Sequence, residues 1–357
     1  MRLHSLSVKG FRNLAGSRID FRGPVTLFYG ANAQGKTNLL EALYLIATTR
    51  SFRESRAEVL IAHGQESATL EASVEGEKVR HLLTLHLSRR GRQYRRDGQA
   101  VPLATYVQGL PVVVLSVEDR GLVEGSPRHR RNFLDATAVW RRPAHLDTLL
   151  AFGRCKDQRN QVLRDYSPQR ARELEAWSDT FRRLASPIKL ERKAAADTIN
   201  VALKSLRQRL NFDEHIELVY EPSGGDDLGR AMREARAQEI RRGISLVGPQ
   251  RDQVQILLDG RPIGSYGSSG QIRSALWMLK LSRVQVLSER GETPPLFLLD
   301  DVEAELDRER IGQMMDLTQG RAQLVVTATR PDLPSLKPSA IFRVDSGRVF
   351  EEFPPTT

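Results

Sequence analysis

Sulfur chemistry is all but missing from this chain. Its 357 residues include one cysteine, Cys155, so no intrachain disulfide can form and a reducing compartment is expected. Nothing approaches the roughly 20 apolar residues of a membrane-spanning helix. Met1-Arg2-Leu3-His4-Ser5-Leu6-Ser7 lacks the apolar core of a signal peptide. A cytoplasmic, nucleoid-associated protein with no membrane partner is expected. There is no zinc spacing, no helix-turn-helix and no other base-reading motif, so nucleic acid would be recognised by structure and not by sequence. No seven-residue register lasts long enough for an extended coiled-coil arm. Positive charge is in surplus: 54 Lys and Arg stand against 44 Asp and Glu, a net +10, which points to a polyanionic partner. With 40% hydrophobic and 27% charged residues the composition is that of an ordinary globular protein, and the length suits two domains.

Within that background stands Gly30-Ala31-Asn32-Ala33-Gln34-Gly35-Lys36-Thr37. It follows the apolar run Val25-Thr26-Leu27-Phe28-Tyr29 and leads into Asn38-Leu39-Leu40-Glu41-Ala42-Leu43: strand, glycine-rich loop, helix. The spacing is that of a P-loop. Its backbone N–H groups can wrap phosphates, and the helix N-terminus adds positive potential there. Lys36 can reach the β- and γ-phosphates, and the Thr37 hydroxyl is the expected Mg²⁺ ligand, so ATP and Mg²⁺ are the expected cofactors. No Asn-Lys-x-Asp motif follows to read guanine. Further on, Leu296-Phe297-Leu298-Leu299-Asp300-Asp301 is an apolar run ending in two acids. There Asp300 can hold Mg²⁺ beside Thr37, and Asp301 can orient or deprotonate the attacking water. Between the two lies Gly267-Ser268-Ser269-Gly270-Gln271, opening an amphipathic helix. Its plainest reading is a serine N-cap. The order of the three motifs, however, resembles that of ABC-type ATPases, in which the serine and helix tip face the γ-phosphate of ATP bound by another subunit.

The coarse organisation agrees. Residues 3–28 read as two short strands, and 68–101 as an antiparallel meander. Val112-Val113-Val114-Leu115 reads as a buried strand. Trp177, Phe181, Leu184 and Ile188, then Ile199, Leu203, Leu206 and Leu210, recur at helical steps. Two long helices meeting at Ser167-Pro168 form a hairpin lobe, and Pro187 either kinks the second or starts a new helix. Strand patterns return at 216–220, 254–258, 296–299 and 323–327. The expected division is 1–125 and 213–357 for the two parts of an ATPase head, with 126–212 as an inserted helical lobe.

Lys9-Gly10-Phe11-Arg12-Asn13, the P-loop with Asn32 and Asn38, the run from Ser126-Pro127-Arg128 to Phe133-Leu134-Asp135, Gly248-Pro249-Gln250-Arg251-Asp252, and Asp300-Asp301-Val302-Glu303-Ala304-Glu305-Leu306-Asp307 together resemble the bacterial RecF family over almost the whole chain. That family belongs with the SMC-type ABC ATPases but lacks their long coiled coil. The resemblance implies an α/β fold: an SMC-type ABC-ATPase head with a mixed P-loop sheet, an antiparallel β subdomain and an inserted helical lobe. It implies ATP-dependent homodimerisation on gapped, single-stranded or duplex DNA in recombinational repair, loading the recombinase with RecR and RecO. Around the nucleotide it implies the P-loop with Arg12, Asn13, Asn38, Ser268, Gly270, Gln271, Asp307 and Thr329, with Lys36, Ser268 and Asp301 in the hydrolytic machinery.

Three departures matter. Ordinary ABC proteins carry Glu where this chain has Asp301, and His where it has Thr329. No Q-loop glutamine is evident; the stretch after Leu115 offers Glu118 and Asp119 instead. These favour ATP as a dimerisation switch, with weak, DNA-stimulated hydrolysis. The alternative, an ATP-binding subunit of an ABC transporter, runs against the helical insert and the basic charge. The DNA candidates are Arg89, Arg90, Arg92, Arg95 and Arg96 around Tyr94, and Arg128, Arg130 and Arg131 at the start of the insert, since such residues supply phosphate contacts.

Overall fold

The computed structural model describes residues 2–54, 56–76, 79–290, 294–333 and 335–352. The chain begins with β1 (Arg2–Lys9), β2 (Ser17–Asp20), β3 (Val25–Tyr29), α1 (Lys36–Thr48), α2 (Ala57–Leu60), β4 (Ser67–Glu75), β5 (Arg80–Ser88), β6 (Gly91–Arg96), α3 (Leu103–Val107) and β7 (Val112–Leu115). Next come α4 (Arg120–Val123), α5 (Pro127–Arg141), α6 (Ala144–Arg164), α7 (Ala171–Leu210), β8 (Ile216–Glu221), α8 (Leu228–Arg242), β9 (Gln253–Leu258), β10 (Arg261–Pro262) and α9 (Ile263–Tyr266). After α10 (Ser269–Arg290) follow β11 (Leu296–Leu299), α11 (Val302–Glu305), α12 (Arg308–Thr318), β12 (Gln323–Ala328), β13 (Ala340–Asp345) and β14 (Arg348–Glu352). Two compact units result. One holds the residues up to Asp119 and from Leu276 onward, the other those from Arg120 to Ala275.

The first unit contains two sheets. One has the order β14-β13-β3-β12-β11-β7 and is parallel except for β14; the other, β2-β1-β4-β5-β6, is antiparallel throughout. β7, β11 and β12 are buried along their whole length, as parallel strands covered on both faces must be. β4 instead alternates, burying Ala68, Leu70, Ala72 and Val74. α1 packs against strands of both sheets, and its buried Leu39, Leu40, Leu43 and Ile46 join them in one core. The register positions the site. Leu299 pairs with Val326, and Val326 with Leu27, so β11, β12 and β3 end side by side and their following loops converge.

The strand count differs from expectation: residues 3–28 enter three strands, and β13–β14 form a hairpin that sequence patterning did not suggest. Ser346 and Gly347 join its strands with φ values of 49° and 77°, the left-handed pair of a type I′ turn, whose twist matches that of the strands.

In the second unit α7 runs unbroken for 40 residues through Pro187. The helix thus neither stops nor restarts at the proline, because Ala185 and Ile188 beside it stay buried in the stripe that holds α7 down. A buried ion network closes this unit. Arg192 on α7 donates to both carboxylate oxygens of Asp135 on α5 at 2.7 and 2.8 Å, to Asp252 at 2.7 Å and to the Pro249 carbonyl at 2.6 Å. The Tyr220 hydroxyl donates to Asp252 at 2.6 Å, and Arg131 to the Asp252 carbonyl at 2.9 Å. Segment 213–275 therefore packs with the helices, so the compact unit extends past the boundary expected at 213. Burial alone would push the Asp135 carboxyl up, but hydrogen bonds from Arg192 and His145 outweigh it and hold it below the usual carboxylate range.

Asp135→Asn should destabilise this unit by roughly 3 kcal/mol, because Arg192 loses a partner while buried. Urea unfolding at neutral pH measures it. A depressed carboxylate gives stability above its unfolded pKa and loses it as pH falls through the folded value. The parent should therefore keep this contribution down through the usual carboxylate range and lose it only in stronger acid, a step absent from the variant.

Candidate nucleotide site

The P-loop is held open by its own backbone. Gly30 and Gly35 sit at φ 155° and 113°, and Ala33 at 63°. A Cβ on Gly30 would lie 2.3 Å from the Val344 carbonyl, and one on Gly35 2.9 Å from Asn13 Oδ1, so these two positions exclude side chains by space as well as by conformation. No side chain caps α1, so none competes with an anion for its first-turn N–H groups. Lys36 is buried, with its ammonium folded onto the loop's own carbonyls, Gly30 O at 2.7 Å and Ala31 O at 3.0 Å. A phosphate oxygen would compete for those donors.

At the convergence of strand ends, Asp300 Oδ1 accepts from the Thr37 hydroxyl at 3.0 Å and from the Thr327 hydroxyl at 2.8 Å. Thr327 in turn accepts the Asp301 N–H at 2.8 Å. Burial pushes the Asp300 carboxyl up, against the pull of Thr327 and Thr37, and the charges of Asp301 and Glu118 push it further. One carboxylate oxygen between two hydroxyls offers hard oxygen donors of the kind Mg²⁺ takes through one or two carboxylates, with water and phosphate for the rest. Asp301 itself has a left-handed backbone, φ 49°, with Oδ1 buried and lacking a hydrogen-bond partner among the described residues.

Glu118 and Asp119 separate clearly. Asp119 pairs with Lys280 at 2.5 Å and accepts the Ser116 N–H, so it is used inside the unit. Glu118, whose charge acts on Asp300, begins a relay: Arg53 donates to Glu118 at 3.2 Å and to Asn38 at 3.1 Å, and Asn38 donates to Asn13 at 2.8 Å. Arg12 donates twice to the buried Glu41 of α1, both at 2.9 Å, and to Val59 O, which fixes the Lys9–Asn13 turn to the P-loop helix. Gln34 braces the loop from behind. Its Oε1 accepts the Ser346 N–H at 2.6 Å and its carbonyl the Gly347 N–H at 2.9 Å. Sequence reasoning missed Thr327, Glu303 and the Ser346-Gly347 turn; of these only the Ser-Gly dipeptide between alternating strands carried a local signal.

Ser268 and Gln271 cap α10 reciprocally. The Ser268 N–H donates to Gln271 Oε1 at 2.9 Å, and the Gln271 N–H to Ser268 Oγ at 3.2 Å. Ser268, Ser269 and Gly270 are exposed at this tip. Asp307, also exposed, caps α12 by accepting the Arg310 N–H at 2.9 Å. The Thr329 hydroxyl donates to Glu303. Among the basic candidates, Arg89, Arg90, Arg95 and Arg128 are exposed. Arg96 is half-buried beside Asp97. Arg92 donates to Thr49 O, the C-cap of α1, while Arg130 donates to the carbonyls of Leu122, Val123 and Gly125, and Arg131 to that of Asp252.

A phosphate loop and an acidic strand end meeting on a mixed sheet, backed by an antiparallel one, define an ABC-type ATPase head of the SMC class. The family model described as RecF/RecN/SMC N terminal domain matches residues 2–346. The DNA replication and repair protein RecF of Gloeobacter violaceus is 34% identical over 369 residues, covering 98% of each chain. A solved structure of the recombination mediator protein RecF with ATP, of the RecFOR pathway, superposes with a TM-score of 0.90 at 25% identity, covering 98% of this chain and 97% of that one. An Smc head bound to the C-terminal winged-helix domain of ScpA shares the fold, with a TM-score of 0.59 at 15% identity over 99% and 98% of the two chains. The chain belongs to the RecF family.

Gly347→Ala tests the brace behind the loop. A Cβ there would lie 1.9 Å from the Asn13 carbonyl, on a backbone with φ 77°. The left-handed conformation alone costs alanine about 1–2 kcal/mol. ATP affinity, measured by equilibrium titration, should fall roughly tenfold, the equivalent of 1.4 kcal/mol passed to the P-loop.

Proposed function

We propose that this chain is an ATP-binding protein of DNA replication and repair that pairs head to head around two ATP molecules on DNA. The observation behind the reading is the P-loop threonine in contact with the acidic strand end, in a family whose curated members are DNA replication and repair proteins. Mg²⁺ held by Thr37 and Asp300 would neutralise charge between the β- and γ-phosphates. Lys36 would leave its loop carbonyls for those phosphates, and Asp301 would orient the attacking water. Asp301 is one methylene shorter than the glutamate usual there, which favours slow turnover and nucleotide as a switch. The exposed tip led by Ser268 would offer its N–H groups to the γ-phosphate held by a second copy. The partners are DNA at gaps or junctions, with RecR and RecO in recombinase loading. The reading as a transporter subunit finds no support in the family match.

The distribution of charge supports a polyanion. Residues 120–275 carry 28 Lys and Arg against 20 Asp and Glu, the remainder 26 against 24, so eight of the ten excess charges lie in the second unit. Phosphate contacts are therefore proposed at exposed Arg128 in that unit as well as at Arg89, Arg90 and Arg95 on the β5–β6 hairpin.

Light scattering with and without ATP tests the pairing. Lys36→Met should lose both ATP binding and dimers, whereas Ser268→Arg should bind ATP and stay single; ATP-dependent dimers in the Ser268 variant would refute the trans arrangement. DNA affinity should fall steeply with salt. Removing three exposed arginines together should reduce the slope of log K against log [salt] by up to about 3, and an unchanged slope would remove them from the interface.

A further inference from the structure

Glu303 lies two residues beyond Asp301 on α11, a single turn of four residues and too short to be stable alone. Its carboxylate accepts three hydrogen bonds. Oε2 takes the Thr329 N–H at 2.9 Å and the Thr329 hydroxyl at 2.6 Å, and Oε1 takes Arg330 Nε at 2.8 Å. Thr329 directly follows β12. Its neighbour Ala328 pairs with Tyr29 and accepts the Gly30 N–H at 3.3 Å, so Thr329 stands level with the first residue of the P-loop. Glu303 thus fastens the turn that bears Asp301 to the strand end beside the phosphate loop.

That turn needs fastening. A non-glycine residue in the left-handed region costs about 1–2 kcal/mol, and such strain persists only where the surroundings over-determine it. The Thr327 hydroxyl holds Asp301 by its N–H from one side. On the other side Val302 and Leu306 are buried, and Glu303 supplies the polar anchor. None of the three bonds to Glu303 involves Lys36 or Thr37, so the anchor can fail without disturbing the groups that take the phosphates.

We propose that Glu303 is a positioning residue for ATP cleavage, holding Asp301 in its left-handed conformation by tying α11 to Thr329 and Arg330. The inference rests on reading Asp301 as the carboxylate that orients water. A competing effect has the opposite sign: the one hydroxyl proton of Thr329 is donated to Glu303, so removing Glu303 would free that hydroxyl to donate to phosphate.

Full-length Glu303→Ala, Glu303→Gln and Asp301→Asn are compared in single-turnover ATP cleavage, equilibrium ATP titration and amide hydrogen exchange. Glu303→Ala should slow cleavage roughly ten- to a hundredfold, the scale of a displacement near 1 Å, with the ATP Kd changed by less than about twofold. Amides of 301–306 and 329–330 should exchange faster while β11 is unchanged. Glu303→Gln, which keeps an acceptor oxygen, should recover part of the rate. Cleavage at the parent rate or faster in Glu303→Ala, with Asp301→Asn inactive, would overturn the positioning role alone. Loss of ATP binding in step with the rate would reduce Glu303 to general support. Parent-like cleavage by Asp301→Asn would overturn the assignment of Asp301, and this inference with it.

Discussion

One carboxylate oxygen joins the parts of this site. Asp300 Oδ1 accepts from Thr37 at the start of α1 and from Thr327 on β12, while Asp300 itself directly follows β11. The three residues are far apart in sequence, and only the parallel register of β3, β12 and β11 brings them together. A slip of one residue in any of these pairings would turn the pleat over and send hydroxyl or carboxylate to the opposite face. Close packing on both buried faces, together with the Thr37 and Thr327 bonds made only in this register, opposes such a slip. The oxygen is also under electrostatic pressure: burial and neighbouring acids push the Asp300 proton affinity up. A divalent cation would relieve that pressure at the point where Thr37 already points.

Around this oxygen the backbone is forced into conformations that need support. The P-loop glycines take φ values closed to other residues, and Asp301 adopts a left-handed one despite its side chain. Each is braced from behind by a different element. The β13–β14 turn backs Gln34, the Lys9–Asn13 turn backs Gly35, Thr327 backs Asp301, and Glu303 backs the turn that follows it. Together they tie the loop and the turn after it to four separate parts of the chain.

What was legible in the sequence was local. The P-loop, the paired acids, the meander and the helical stripes each repeat a pattern within one element, and each lies where the pattern put it. What was not legible depends on partners distant in sequence. Thr327 reads as one more β-branched residue in an apolar strand until Asp300 and Asp301 arrive beside it. Arg130 and Arg131 read as candidates for phosphate, but Arg130 donates to the carbonyls of Leu122, Val123 and Gly125, and Arg131 to that of Asp252. The unit boundary past 213 was hidden because Arg192 finds Asp252 60 positions later. Pro187 looked like a break since propensity speaks for one turn, whereas the buried stripe of α7 extends over many.

Separating the charge from the nucleotide site has an electrostatic consequence. The unit that holds the P-loop is nearly balanced in charge, and its Lys36 is buried, so its attraction for a triphosphate is short-ranged and little affected by salt. The helical unit holds most of the excess, and exposed residues such as Arg128 act through solvent, at long range, where mobile ions compete. A single chain can thus draw two kinds of phosphate by mechanisms that interfere little with each other. α10 runs from one unit into the other, opening with the Ser268 cap among residues of the basic unit and ending among those of the ATPase unit. A helix tip that met a partner's triphosphate would therefore belong, by chain connectivity, to the unit richest in positive charge.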